Sequence, residues 1–159
     1  MSGQGRSGAA DHALLQELRG LYAELDAAFE GWSCPASTEC CRFGLTGVEP
    51  YVTSIEYLAV LKAIEARGGP LHDKRKALPL AQGGARGERT CPLLDRSGRC
   101  AVYAFRPLGC RTFYCAKAIE AQAVPHAFIV SMVRRVQQIA ARHTPSGELS
   151  HRLGKLLGV

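Results

Sequence analysis

Seven cysteines supply the reactive chemistry of this 159-residue chain: Cys34, Cys40 and Cys41 in one group, and Cys91, Cys100, Cys110 and Cys115 in another. Thiolate is a soft ligand suited to zinc and iron–sulfur clusters, and several thiolates meeting at one point stay ionised only beside a compensating cation. Two separate tetrahedral sites need eight ligands, one more than the cysteines provide. The eighth would be a histidine, a water or substrate at an open position, or a thiolate shared by two ions. A single ion would instead leave three cysteines as core residues or reactive thiols. Consecutive side chains diverge, so adjacent Cys40 and Cys41 suit two ions, or two corners of a cluster, better than one crowded tetrahedron. The spacing lacks the paired C-x-x-C knuckles of a zinc ribbon, and any one cysteine alone could be core filling. Seven in two dense groups favour metal.

Arg106 and Arg111 flank Cys110 and are the candidate cofactor-binding residues, able to donate hydrogen bonds to thiolate or sulfide and to offset its charge. The plainer role for each is a surface ion pair. Tyr103 is expected to pack under the site with its hydroxyl satisfied, and Glu56 to cap a helix. Among the histidines, His126 is the best replacement ligand, while His12, His72, His143 and His151 should be exposed. Trp32 and Phe43 bracket the first cysteine group, as shields from water or as core. The sequence has no glycine-rich phosphate loop, Ser-His-Asp order or paired carboxylates, so a standard hydrolase or nucleotide enzyme is not supported. Structural and catalytic roles for a metal both stay open.

The N-terminus MSGQGRSGAADHALLQEL has no apolar stretch behind a basic start and does not read as a secretory signal. A cytoplasmic location follows as the expectation, where disulfides are rare and an odd cysteine count points to metal or catalysis. No window approaches the roughly 20 apolar residues of a membrane span. The formal charge is +6; if all seven thiols ionise around two divalent ions, seven charges are lost and four regained, leaving +3. The basic balance is therefore a weak argument for nucleic acid.

Helices must position these groups. Residues 1–10 are rich in Gly and Ser and are expected to be disordered. From Asp11 to about Glu30, Leu14, Leu18, Leu21, Leu25 and Phe29 recur at helical spacing, with Leu15 and Tyr22 widening the stripe and Gly31 as a stop. Thr53-Ser-Ile-Glu56 is a capping box opening a helix that ends near Gly68-Gly69-Pro70. Residues 67–89 form a basic loop carrying Arg67, Lys74, Arg75, Lys76, Arg86 and Arg89, either a solvated excursion or a partner-binding surface. Asp95-Arg-Ser-Gly98 is a turn that would bring Cys91 and Cys100 together as a short hairpin. Pro107 favours a short helix to about Ala118. A long helix from Pro125 presents Ile129, Met132, Val133, Val136, Ile139 and Ala140, and a last one over 146–157 presents Leu149, Leu153, Leu156 and Leu157. The fold class predicted is mainly α: one domain over 11–159, helical around an irregular cysteine-rich centre.

Five segments, Cys34-Pro-Ala-Ser-Thr-Glu-Cys40-Cys41, Val52-Thr-Ser-Ile-Glu56, Cys91-Pro-Leu-Leu-Asp95, Gly98-Arg-Cys-Ala-Val-Tyr103 and Arg106-Pro-Leu-Gly-Cys110-Arg-Thr-Phe113, together resemble the YkgJ family of cysteine-cluster proteins, described as a zinc- or iron-chelating domain. The resemblance covers residues 34–115 and implies metal ligation by Cys34, Cys40, Cys41, Cys91, Cys100, Cys110 and Cys115. The family's first block reads C-x-x-C-x-x-C-C, and Ser37 stands where its second cysteine is expected. A serine hydroxyl is a poor ligand for a soft site, so the resemblance implies one ion fewer, a water ligand or an open position. Three functions follow as expectations: a zinc- or iron-binding protein; an iron–sulfur or iron enzyme, acting on a peptide or protein with Ser37 at the open position; and an adaptor that meets an acidic protein through the basic loop.

Overall fold

The computed structural model describes residues 4–31, 39–69, 89–112, 124–144 and 150–153. The described chain is mainly helical. Its elements in order are α1 (Gln4–Ala28), a 3-10 turn (Glu39–Cys41), α2 (Phe43–Thr46), β1 (Tyr51–Thr53), α3 (Ser54–Ala66), a second 3-10 turn (Tyr103–Phe105), α4 (Leu108–Thr112), α5 (His126–His143) and β2 (Ser150–Arg152).

The long helices α1, α3 and α5 pack together because each carries an apolar stripe. Leu15, Leu18, Leu21, Tyr22 and Leu25 of α1 meet Met132, Val136, Ile139 and Ala140 of α5 in one buried cluster. Val133, expected on that face, is exposed. Salt bridges Arg135–Glu24 (2.7 Å) and Arg142–Glu17 (2.6 Å) line the outside of the α1–α5 seam, where solvent screens them to a small contribution. His143, expected to be exposed, is largely covered: its Nδ1 lies 2.8 Å from the Ser54 hydroxyl, and its Nε2 lies 3.7 Å from Asp11.

Helix α3 is apolar on two sides. Ile55 and Ala59 face the bundle, whereas Val60 and Ala63 face a second cluster with Phe43, Val52, Cys91, Leu93, Val102 and Leu153. This helix is thus the wall between a helical layer and a cysteine layer. Its capping box forms as its sequence dictates, the Glu56 carboxylate accepting from the Thr53 N–H at 2.8 Å.

Three expectations about elements need correction. Helix α1 starts at Gln4, not at residue 11; Gly and Ser lower helix propensity, but with no proline among residues 4–10 nothing forbids extending a helix already anchored by packing. Within the last helix expected over 146–157, residues 150–152 instead form β2, which pairs antiparallel with β1 with Val52 opposite His151, while Leu153 is helical and 146–149 and 154–157 lie outside the described residues. Leu153 follows at 1% exposure in the second cluster, and over residues 150–152 satisfying the edge of β1 outweighs the leucine period. The short helix after Pro107 is described only over Leu108–Thr112. Most of the basic loop, at 70–88, lies outside the described residues, as do Cys34, Ser37 and Cys115.

Candidate metal centre

Three stretches of chain carry the five described cysteines to one place. Cys40 and Cys41 end the first 3-10 turn, which is stitched to the start of the second group: the Cys91 N–H donates to the Cys41 carbonyl at 2.6 Å, and Gly44 N–H to the Arg89 carbonyl at 2.9 Å. Residues 91–101 form the expected hairpin, with Ala101 N–H bonded to the Leu93 carbonyl (2.8 Å) and Leu94 bridged to Cys100. Asp95 closes the turn by accepting from the backbone N–H groups of Ser97 and Arg99 and from the Ser97 hydroxyl, which holds its carboxyl below the usual range. Gly98 completes the turn at φ +77°, a conformation that a side chain would strain.

Cys110 arrives on α4, whose placement depends on Glu56. This carboxylate is 2% exposed and accepts from Leu108 N–H (2.7 Å), the Tyr22 hydroxyl (2.9 Å), and the N–H and hydroxyl of Thr53 (2.8 Å each). Glu56 therefore does more than cap its own helix: it fixes the N-terminus of α4 against α1 and α3, where a negative charge is favoured. Burial and the Glu56 carboxylate push the Tyr22 hydroxyl well above its ordinary pKa, so Tyr22 stays a donor. Gly109 lets α4 lie against the chain before β1, since a Cβ there would come 3.1 Å from the Pro50 side chain.

Cys40, Cys41, Cys91, Cys100 and Cys110 all line one cavity of about 310 Å³. The Cys40 and Cys41 sulfurs are 3.9 Å apart. They do not diverge as adjacent side chains in extended chain would, because the 3-10 turn gathers them. A zinc–sulfur bond of about 2.3 Å gives a tetrahedral edge of about 3.8 Å, so this pair has the spacing of two ligands of one ion. Among the described residues no three His, Cys, Asp or Glu side chains already form a ready ligand shell; the sulfurs stand around the cavity wall, and Cys41, Cys100 and Cys110 favour the neutral thiol.

Their electrostatics explain that state. The Cys40 thiol favours ionisation of Cys41 by hydrogen bonding, but a hydrogen bond with Cys91, burial, and the nearness of Cys91 and Cys100 outweigh it, and Cys41 is pushed up to about 12. Burial raises Cys100, with Arg106 opposing, and burial raises Cys110 strongly, with Cys40, Cys100 and Cys41 adding to it. Cys110 keeps some surface, but it faces the cavity. Such thiols ionise only when a cation enters among them.

The two arginines part company. Arg106 stays at the cavity, its guanidinium 3.5 Å from the Tyr103 ring centre and its Nε bonded to the Tyr103 carbonyl at 3.0 Å. Arg111 turns away, contrary to its expected role: it binds both Asp26 oxygens at 2.7 Å, the Arg106 carbonyl at 2.8 Å and the Ala104 carbonyl, and it stacks on Tyr22. One helical step past Cys110 sends its side chain to α1. Tyr103, expected beneath the site, is half exposed at its mouth. His126 is exposed on α5 and is not among the described residues that line the cavity. Phe43 is core, at 1% exposure. Leu153 on the cavity wall was expected only as part of a helix's apolar face, and Arg99 at the rim was not singled out in the sequence, where no local pattern marks it as a site residue.

No helix among the described residues is long and apolar enough to cross a membrane. The chain matches no family model, no curated protein and no solved structure.

Proposed function

We propose that this chain is a cytoplasmic metal-binding protein of the YkgJ type, holding zinc or iron through Cys40, Cys41, Cys91, Cys100 and Cys110, with Cys34 and Cys115 completing the set. The observation that carries this reading is the convergence of five thiols on one cavity, two of them about fifty residues before the other three. The donor set is all sulfur, which favours zinc, iron or an iron–sulfur cluster over hard cations. When bound, the metal supplies the positive charge that five thiolates lack. The chain supplies a fixed frame: the capped hairpin holds Cys91 and Cys100, the 3-10 turn holds Cys40 and Cys41, and Glu56 holds the helix of Cys110.

Cobalt(II) titration of the anaerobic, reduced protein tests the ligand set. Intense sulfur-to-metal charge-transfer absorption is expected, reduced in Cys40→Ser and in Cys110→Ser. Undiminished absorption in both variants would remove these residues from the set.

A further inference from the structure

We propose that the thiol-lined cavity also binds a small organic carboxylate, its charged end paired with Arg106 at the mouth and its apolar body lying on Leu93, Val102 and Leu153. The inference deepens the metal-centre reading by naming a ligand for the same site, although carboxylate recognition by Arg106 needs no metal.

Size is the first argument. At about 30 Å³ per water in the liquid, the cavity of about 310 Å³ has room for about ten waters, far more than one or two ions occupy. It falls at the small end of ligand pockets, roughly 300–1,000 Å³. Lining is the second: besides the thiols and the polar side chains Arg99, Tyr103 and Arg106, the wall carries the apolar side chains of Leu93, Leu94, Val102, Pro107 and Leu153. That surface would favour a hydrocarbon body over a polar one.

The third argument is the state of Arg106. Its Nε is bonded to the carbonyl of its own turn and its plane is stacked on Tyr103, so the guanidinium is held in place at little further entropic cost. Among the described residues its two terminal amino groups carry no hydrogen bond. A preorganised fork with free N–H donors matches the two oxygens of a carboxylate. Phosphate fits less well, because it has no hydrocarbon body to lie on Leu93, Val102 and Leu153.

Hexanoate, 1-hexanol and inorganic phosphate, titrated calorimetrically into the full chain as isolated anaerobically, separate the contributions. Hexanoate should bind at least tenfold more tightly than either of the others. Compared at matched metal occupancy, Arg106→Gln should remove that advantage and Arg106→Lys should retain part of it, both with unchanged circular dichroism. Equal binding of hexanoate and 1-hexanol, or equal binding of phosphate, overturns the proposal. So does an Arg106→Gln variant that sheds metal but keeps its hexanoate affinity, since Arg106 would then serve the thiolates alone. Arg106-dependent hexanoate binding by a protein that proves free of metal would sustain this inference while defeating the metal centre.

Discussion

Cys110 and Arg111 are neighbours in sequence, yet a step of about 100° around α4 sends one to the cavity and the other to α1. Composition could identify both as chemically capable, and flanking a cysteine made Arg111 look like a partner for thiolate. What decides its role is Asp26, 85 positions away in sequence, together with two carbonyls and the Tyr22 ring. No local pattern encodes that partnership. Arg111→Met should therefore cost about 2–4 kcal/mol of folding stability, by stranding the acceptors around a buried cation site. Metal per folded molecule should not change. Urea unfolding paired with elemental analysis of the folded fraction checks both, and a metal loss exceeding the loss of folded protein would return Arg111 to the cofactor.

Among the elements, α3 and α5 were legible because their signals are local: a Thr-x-x-Glu capping box, a proline at the N-cap, and apolar residues three and four apart. The hairpin of Cys91 and Cys100 was legible from its Asp-x-Ser-Gly turn. Strands β1 and β2 were not, since three-residue strands leave no periodicity and their pairing joins residues about a hundred positions apart. Leucines at 149, 153, 156 and 157 read as one helix, whereas residues 150–152 pair as a strand and Leu153, helical and directly after it, is buried on the wall of the thiol cavity. Truncating it to alanine should cost roughly 2–4 kcal/mol, the range for emptying a well-packed leucine site. If residues 150–153 instead formed an exposed helix, Leu153→Ala would leave the denaturation midpoint almost where it is.

At the scale of the molecule, two apolar clusters share α3, and the thiols belong to the one farther from the α1–α5 seam. The architecture therefore gives the bundle a core independent of metal and makes the cysteine layer sensitive to it. Removing metal should loosen residues 91–110 more than α1 and α5, as hydrogen exchange of the metal-free and loaded forms would resolve. The pH dependence should differ in sign between the two forms. Without metal, Cys41 at about 12 and Cys100 and Cys110, both raised, remain protonated while the unfolded chain ionises near the ordinary thiol value. Their contribution is present below that value and is lost as pH rises toward the folded values, at about 1.4 kcal/mol per pH unit for a thiol that stays fully protonated. With metal bound, the folded state holds thiolates, so stability should rise with pH from the acid side until the unfolded thiols also ionise. Parallel pH profiles for the two forms would contradict this account.

The central claim is that these thiols share a transition metal in the cell. Anaerobic purification without chelator, followed by elemental analysis of the folded protein, tests it most directly. The account predicts zinc or iron in a near-integral ratio to protein, falling in Cys110→Ser. Fully folded, reduced wild-type protein containing neither element would contradict it.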